Sequence, residues 1–159
     1  MTGGPITLPE RPALTRLRRL HQHWVQLCGD RPLPSPDQFD ILTLPQLMGY
    51  LHIVEVEGEP PRFRFRLFGT RIAEIGGRDL TGRWVDDIEP PRWAEAVQAA
   101  FLQPLTHRLP CYSRSDDAYD LGAIEMHRLA CPFSSNGHDI DRLLVGVEAI
   151  PRPHFTGKT

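Results

Sequence analysis

Seven histidines, three cysteines and several close carboxylates are the groups in this 159-residue chain that could bind a metal or move a proton. None of them completes a recognisable set. His21-Gln22-His23 places two imidazoles two residues apart, and on a helix such positions do not face each other. The spacing His-Glu-x-x-His is absent. His21 reads as part of a packed helix face and His23 as exposed. Cys28, Cys111 and Cys131 are too few and too scattered for a disulfide framework or a thiolate zinc site, so no metal is expected. Asp116-Asp117 with Asp120 reads as a solvated turn. Asp86-Asp87 with Glu89 precedes a helix opening at Pro90-Pro91, where the helix dipole favours anions. The serines lack a Gly-x-Ser-x-Gly context for a nucleophile. Gly157-Lys158-Thr159 echoes a phosphate loop without its upstream glycine or following helix.

His52 stands apart because of its neighbours. Leu51–Glu57 and Arg62–Phe68 alternate with period two around the turn Gly58-Glu59-Pro60-Pro61, which predicts a hairpin. A four-residue loop pairs Glu57 with Arg62, Glu55 with Arg64 and Ile53 with Arg66 on one face. The other face then pairs Val56 with Phe63, Val54 with Phe65 and His52 with Leu67. A one-residue slip would expose the whole apolar layer, so the sequence specifies this register. His52 therefore points inward, where an imidazole needs a hydrogen-bond partner or costs roughly 1–3 kcal/mol. That partner is either a core backbone group or a ligand. Arg62, Arg64 and Arg66 form a row that could meet phosphate, but Glu55 and Glu57 opposite them neutralise it.

These residues need elements to position them. Residues 1–11 read as a loose leader, without the basic start and apolar core of a signal peptide. A helix is expected over 12–28, with Pro12 in its first turn and Gly29 as its stop. Its stripe holds Leu14, Leu17, His21, Trp24 and Cys28, widened by Leu20 and Leu27. Short helical pieces are expected between Phe39 and Tyr50, and another over 71–75 capped by Thr70. Asp79 falls in the turn-rich stretch that follows. A longer helix runs to about Thr106 with Trp93, Val97, Ala100, Phe101 and Leu105 on one stripe. Three strands follow, at about 109–114, 121–131 and 139–150, with a tight hairpin at Asn136-Gly137. Pro151 and Pro153 end the last strand, and residues 151–159 form a tail.

A helix, two strands, a helical insert and three strands joined by short connections predict an α+β domain over 12–150, built on an antiparallel sheet. The formal net charge of −2 gives no basic field to attract nucleic acid. No stretch approaches the roughly 18 apolar residues of a membrane span, and a cytoplasmic address is expected. The run Arg62-Phe63-Arg64-Phe65-Arg66-Leu67-Phe68-Gly69-Thr70-Arg71-Ile72, followed by Gly77-Arg78-Asp79-Leu80-Thr81-Gly82, resembles stand-alone bacterial PAS-domain proteins of about this length. Gln38-Phe39-Asp40 after the leading Trp24 helix fits that resemblance, as does Cys131-Pro132-Phe133-Ser134 before the last strand.

The resemblance implies a PAS-like five-stranded antiparallel sheet with helices on one face, preceded by the amphipathic N-terminal helix. It also implies a non-catalytic sensory or protein-interaction module in signal transduction. A cavity between helix and sheet would be lined by His52, Phe65, Leu67, Trp84, Trp93, Val97, Phe101 and Val145, around a small molecule. The flavin-reactive motif Asn-Cys-Arg-Phe-Leu and a haem-ligand motif are absent, which leaves the cofactor unknown. The partners expected are a signalling protein and a second copy of the chain. Leu14, Leu17, His21 and Trp24 would form the dimer seam unless the helix folds onto its own sheet. The alternative is a small α+β cavity enzyme, an isomerase or dehydratase, using His52 or Asp79 with a perturbed pKa.

Overall fold

The computed structural model describes residues 8–115 and 124–152. The Asp116, Asp117 and Asp120 turn, the start of the expected 121–131 strand, most of the leader and the Gly157-Lys158-Thr159 end lie outside the described residues.

Strands β1 (Leu51–Glu57), β2 (Arg62–Leu67), β3 (Cys111–Ser115), β4 (Ile124–Phe133) and β5 (Arg142–Pro151) form one antiparallel sheet in the order β2-β1-β5-β4-β3. Helices α2 (Thr70–Gly76) and α3 (Pro91–His107) come from the insert between β2 and β3. Their apolar residues join the inner sheet face in one core: Val54, Phe63 and Phe65 from the hairpin, Ile72 from α2, Trp93, Val97 and Phe101 from α3. The period-two alternation of the hairpin creates that face and the 3.6-residue stripe of α3 covers it.

Helix α1 (Thr15–Cys28), entered through a 3₁₀ turn at Pro12–Leu14, covers the opposite face. Leu14, Leu17, Leu20, Trp24 and Cys28 pack there with Leu129, Cys131, Phe133 and Leu144. Gly146 permits the approach, since a Cβ at that position would lie 2.9 Å from Leu20 Cδ2 and 3.2 Å from Leu17 Cδ2. The Trp24 indole N–H donates to the Pro132 carbonyl at 2.7 Å. The expected dimer seam is therefore corrected. Leu14 and Leu17 are fully buried and Trp24 nearly so against the chain's own sheet, and His21 is half-buried. Each buried leucine is worth roughly 1.5–3 kcal/mol, and this chain realises that gain without a partner.

The hairpin register is as expected at Glu57↔Arg62, Val56↔Phe63, Glu55↔Arg64 and Val54↔Phe65. It then shifts, so that Ile53 faces Leu67 instead of Arg66. The extra residue is a β-bulge, which re-aims the side chains beyond it. Arg66 and Leu67 both lie on the outer face, Leu67 is 46% exposed, and Phe68 turns inward in its place. The Asn136-Gly137 hairpin is also corrected. Phe133 pairs with Arg142, and the connection is a longer loop over 134–141. Asn136 Oδ1 organises it by accepting from the Ser134 hydroxyl and the N–H groups of His138 and Asp139.

Between α1 and β1 the chain makes three 3₁₀ turns, Pro36–Gln38, Ile41–Thr43 and Pro45–Leu47. Ser35 and Asp40 cap the first two by accepting the N–H groups of Asp37 and Leu42. Thr70 does not cap α2; Gly69 takes that place without a side-chain bond.

Candidate functional site

The inner face carries a small cavity of about 10 Å³ between the sheet, α2 and α3. Its walls are Phe65, Phe68, Ile72, Trp93, Val97, Phe101 and Met126, and its polar groups are His52 and Arg128. The alternation of β1 points His52 inward beside Val54, and that of β4 points Arg128 inward between Met126 and Ala130.

His52 is 4% exposed. Its Nδ1 accepts the backbone N–H of Gly69 at 3.0 Å, so the proton of the neutral ring sits on Nε2. Phe68 stacks on the ring with centroids 4.1 Å apart, and Phe65 meets it edge-on at 5.3 Å. Burial, reinforced by the Arg128 guanidinium, pushes the imidazole down to about 3. The ring is thus neutral at any ordinary pH. Arg128 is 7% exposed, an unusual setting for a guanidinium.

Of the residues expected to line the cavity, His52, Phe65, Trp93, Val97 and Phe101 meet there. Three do not. Leu67 is turned to the outer face by the bulge. Trp84 lies across the edge of β2, bridged to Arg64, with the Arg62 and Arg64 guanidiniums 4.1 and 5.0 Å from its ring centre. Val145 is fully buried in the same core, opposite His52 on β5, but outside the cavity wall. Phe68, Ile72, Met126 and Arg128 were not foreseen. Arg128 was legible as the polar member of an alternating Met126, Arg128, Ala130 run, whereas Phe68 required knowledge of the bulge.

Asp79 is exposed, and its carboxylate accepts from the Thr81 hydroxyl at 2.7 Å and the Thr81 N–H at 3.0 Å. Those bonds hold it below the usual carboxylate range. It caps an exposed turn. Asp86 likewise serves structure, taking two 2.8 Å bonds from Arg62, which turns away from its cross-strand neighbour Glu57. Among the described residues no group of three or more His, Cys, Asp or Glu is placed to hold a metal ion. No helix among them is long and apolar enough to cross a membrane.

A second polar cluster lies on the outer face. His127 is fully buried, with Nδ1 2.6 Å from the Tyr112 hydroxyl and Nε2 2.9 Å from Glu125 Oε1. Glu125 also binds Arg11 at 2.7 Å, and Glu148 binds Arg16 at 2.8 Å. The two carboxylates thus fasten the entry and first turn of α1 to the sheet.

A family model described as PAS domain matches residues 13–147, which run from the turn before α1 into β5. The chain belongs to the PAS-domain family. In this PAS domain the matched span contains every residue that lines the inner cavity. Neither a search of curated proteins nor one of solved structures finds a significant match. PAS domains are in general sensory or interaction modules, and that coarse assignment holds for this chain.

Proposed function

We propose that this PAS domain senses a small molecule in the cavity between the sheet and α3, and passes its presence to another protein by contact. One observation carries the reading. A neutral histidine and a guanidinium, both more than nine-tenths buried, line the same aromatic cavity. Beside His52, the guanidinium adds hydrogen-bond donors to an otherwise aromatic and aliphatic wall.

The polar groups set the ligand chemistry. The His52 Nε2–H and the Arg128 guanidinium are donors, so the ligand offers acceptors, a carboxylate or a carbonyl, on an apolar body. The cavity of about 10 Å³ has room for about one water. A larger ligand must displace Phe68 or the α3 side chains as it enters. Phe68 is the natural relay, because it borders the cavity and also a groove on the outer face, with Gly69 beside it. The listener is a separate signalling protein in the cytoplasm.

Thermal-shift measurements with a panel of small carboxylates, carbonyl compounds, flavins and haem test this reading. At least one acceptor-bearing compound raises the melting temperature of the intact chain. The effect is lost in Arg128→Met, which removes the guanidinium donor from the cavity wall. A panel in which nothing shifts the transition overturns the ligand reading and leaves a pure interaction module. That second reading is favoured by the same outer groove.

A further inference from the structure

A groove of about 580 Å³ runs beside α3. One wall is a single helical face of α3, about three turns long, carrying Pro91, Ala94, Glu95, Gln98, Ala99 and Leu102. The other wall is residues 86–89, which end the 3₁₀ turn Val85–Asp87 and lead towards α3. Trp93, Val97 and Phe101 of the same helix line the inner cavity instead. The groove has an apolar lining, with Ile88 and Ala94 buried and Leu102 half-buried, and small side chains at Ala94 and Ala99 leave room for close approach. Its charges are all of one sign: Asp86, Asp87, Glu89 and Glu95, with no Lys, Arg or His among the lining residues. Arg62 already takes Asp86. Asp87, Glu89 and Glu95 are exposed, and their carboxylates form no ion pair or hydrogen bond among the described residues. The dipole of α3 favours anions just before its first turn, but that effect fades within one turn and does not account for Glu95.

We propose that this groove binds a basic amphipathic helix of a separate protein. Both walls are helical and present no strand edge, so an added strand has nothing to pair with, whereas a helix brings its own backbone bonds satisfied. The apolar lining receives the partner's apolar stripe, and Asp87, Glu89 and Glu95 receive Lys or Arg beside that stripe. A two-fold mate seated here would bring its own carboxylates against these, and an anionic partner, nucleic acid or lipid, would be repelled. The proposal gives a contact surface to the partner of the sensory reading, and rests on that reading only for the partner's role. Its test needs no ligand in the inner cavity, so either can fail alone.

The probe is a labelled synthetic peptide about three turns long, with leucine and alanine on one helical face and lysine beside it. Fluorescence anisotropy follows its titration with the intact chain. The chain binds it with micromolar affinity, as suits a small transient interface, and binds a counterpart carrying glutamate for lysine at least about tenfold more weakly. Glu95→Lys weakens binding of the lysine peptide at least about tenfold, and adding Glu89→Lys weakens it further. Glu10→Lys makes the same change of net charge at an exposed position outside the groove and leaves the affinity within about twofold. In proton–nitrogen correlation spectra of the intact chain, the amides that move on adding the peptide gather at Ala94, Gln98, Ala99 and Leu102. Circular dichroism shows whether each variant is folded, and Glu95→Gln is the milder substitute should Glu95→Lys disturb α3. Equal affinity for the two peptides, equal losses in Glu10→Lys and Glu95→Lys, or amide shifts gathered elsewhere overturn the proposal. So does a titration that shows no saturation by about a millimolar.

Discussion

His52 Nδ1 accepts the backbone N–H of Gly69 at 3.0 Å, two residues past the end of β2. This one bond joins the inner cavity, which His52 lines, to the outer groove, which Gly69 lines. It forms only with a neutral imidazole, and burial keeps the ring neutral.

Stability should therefore fall in acid. The folded-state pKa of His52, about 3, lies below the ordinary 6.5, so the neutral ring's contribution is fully present above 6.5. It is lost as pH falls from 6.5 towards 3, because the unfolded chain then binds a proton that the folded chain refuses. Urea melts of the wild type and His52→Gln between neutral pH and pH 4 check this. The wild-type advantage, about 1–3 kcal/mol at neutral pH, narrows in acid. An advantage constant across that range contradicts the assignment.

Arg128 should be felt at His52. Its guanidinium helps depress the imidazole, so Arg128→Met raises the His52 pKa towards, though not to, the ordinary value. An NMR titration of the His52 ring protons reads this directly. No movement would show that the two groups do not share the cavity.

Two glycines should respond differently to the same substitution. At Gly69 an added methyl meets a backbone oxygen at 2.5 Å, whereas at Gly146 it meets the tips of Leu20 and Leu17 at 2.9 and 3.2 Å. Backbone cannot step aside, and leucine tips can. Gly69→Ala should cost roughly 1–3 kcal/mol and Gly146→Ala less. Denaturant midpoints decide the order.

Leu17→Asp should destabilise the single chain instead of separating a dimer. Leu17 is fully buried on the sheet side of α1, and a carboxylate there loses the packing and has no water. A loss of at least about 3 kcal/mol is expected, equal at low and high protein concentration. A midpoint that rises with concentration in the wild type but not in Leu17→Asp would restore α1 as an interface.

The period-two alternation of Leu51–Glu57 and Arg62–Phe65 made the hairpin and its core face readable, because burial on one face forbids a slip. The stripes of α1 and α3 were readable for the same reason. Alternation says nothing of where a strand gains a residue, so Leu67 was assigned to the core and Phe68 overlooked. A wide apolar stripe does not say whose sheet will cover it, hence the dimer seam at Leu14, Leu17, His21 and Trp24. Trp84 reads as a core aromatic by type, yet its flat face is equally suited to lie under guanidiniums, and two lie over it. Asn136-Gly137 has the residues of a tight turn, but the bonds to Asn136 Oδ1 build a broader loop instead.

The most direct test of the sensory reading is native mass spectrometry of the intact chain purified from its own host. The account predicts a retained small molecule bearing a carboxylate or carbonyl, one per chain, that is absent from Arg128→Met. A bare polypeptide mass for the wild type, together with a ligand panel that leaves its melting temperature unchanged, would contradict it.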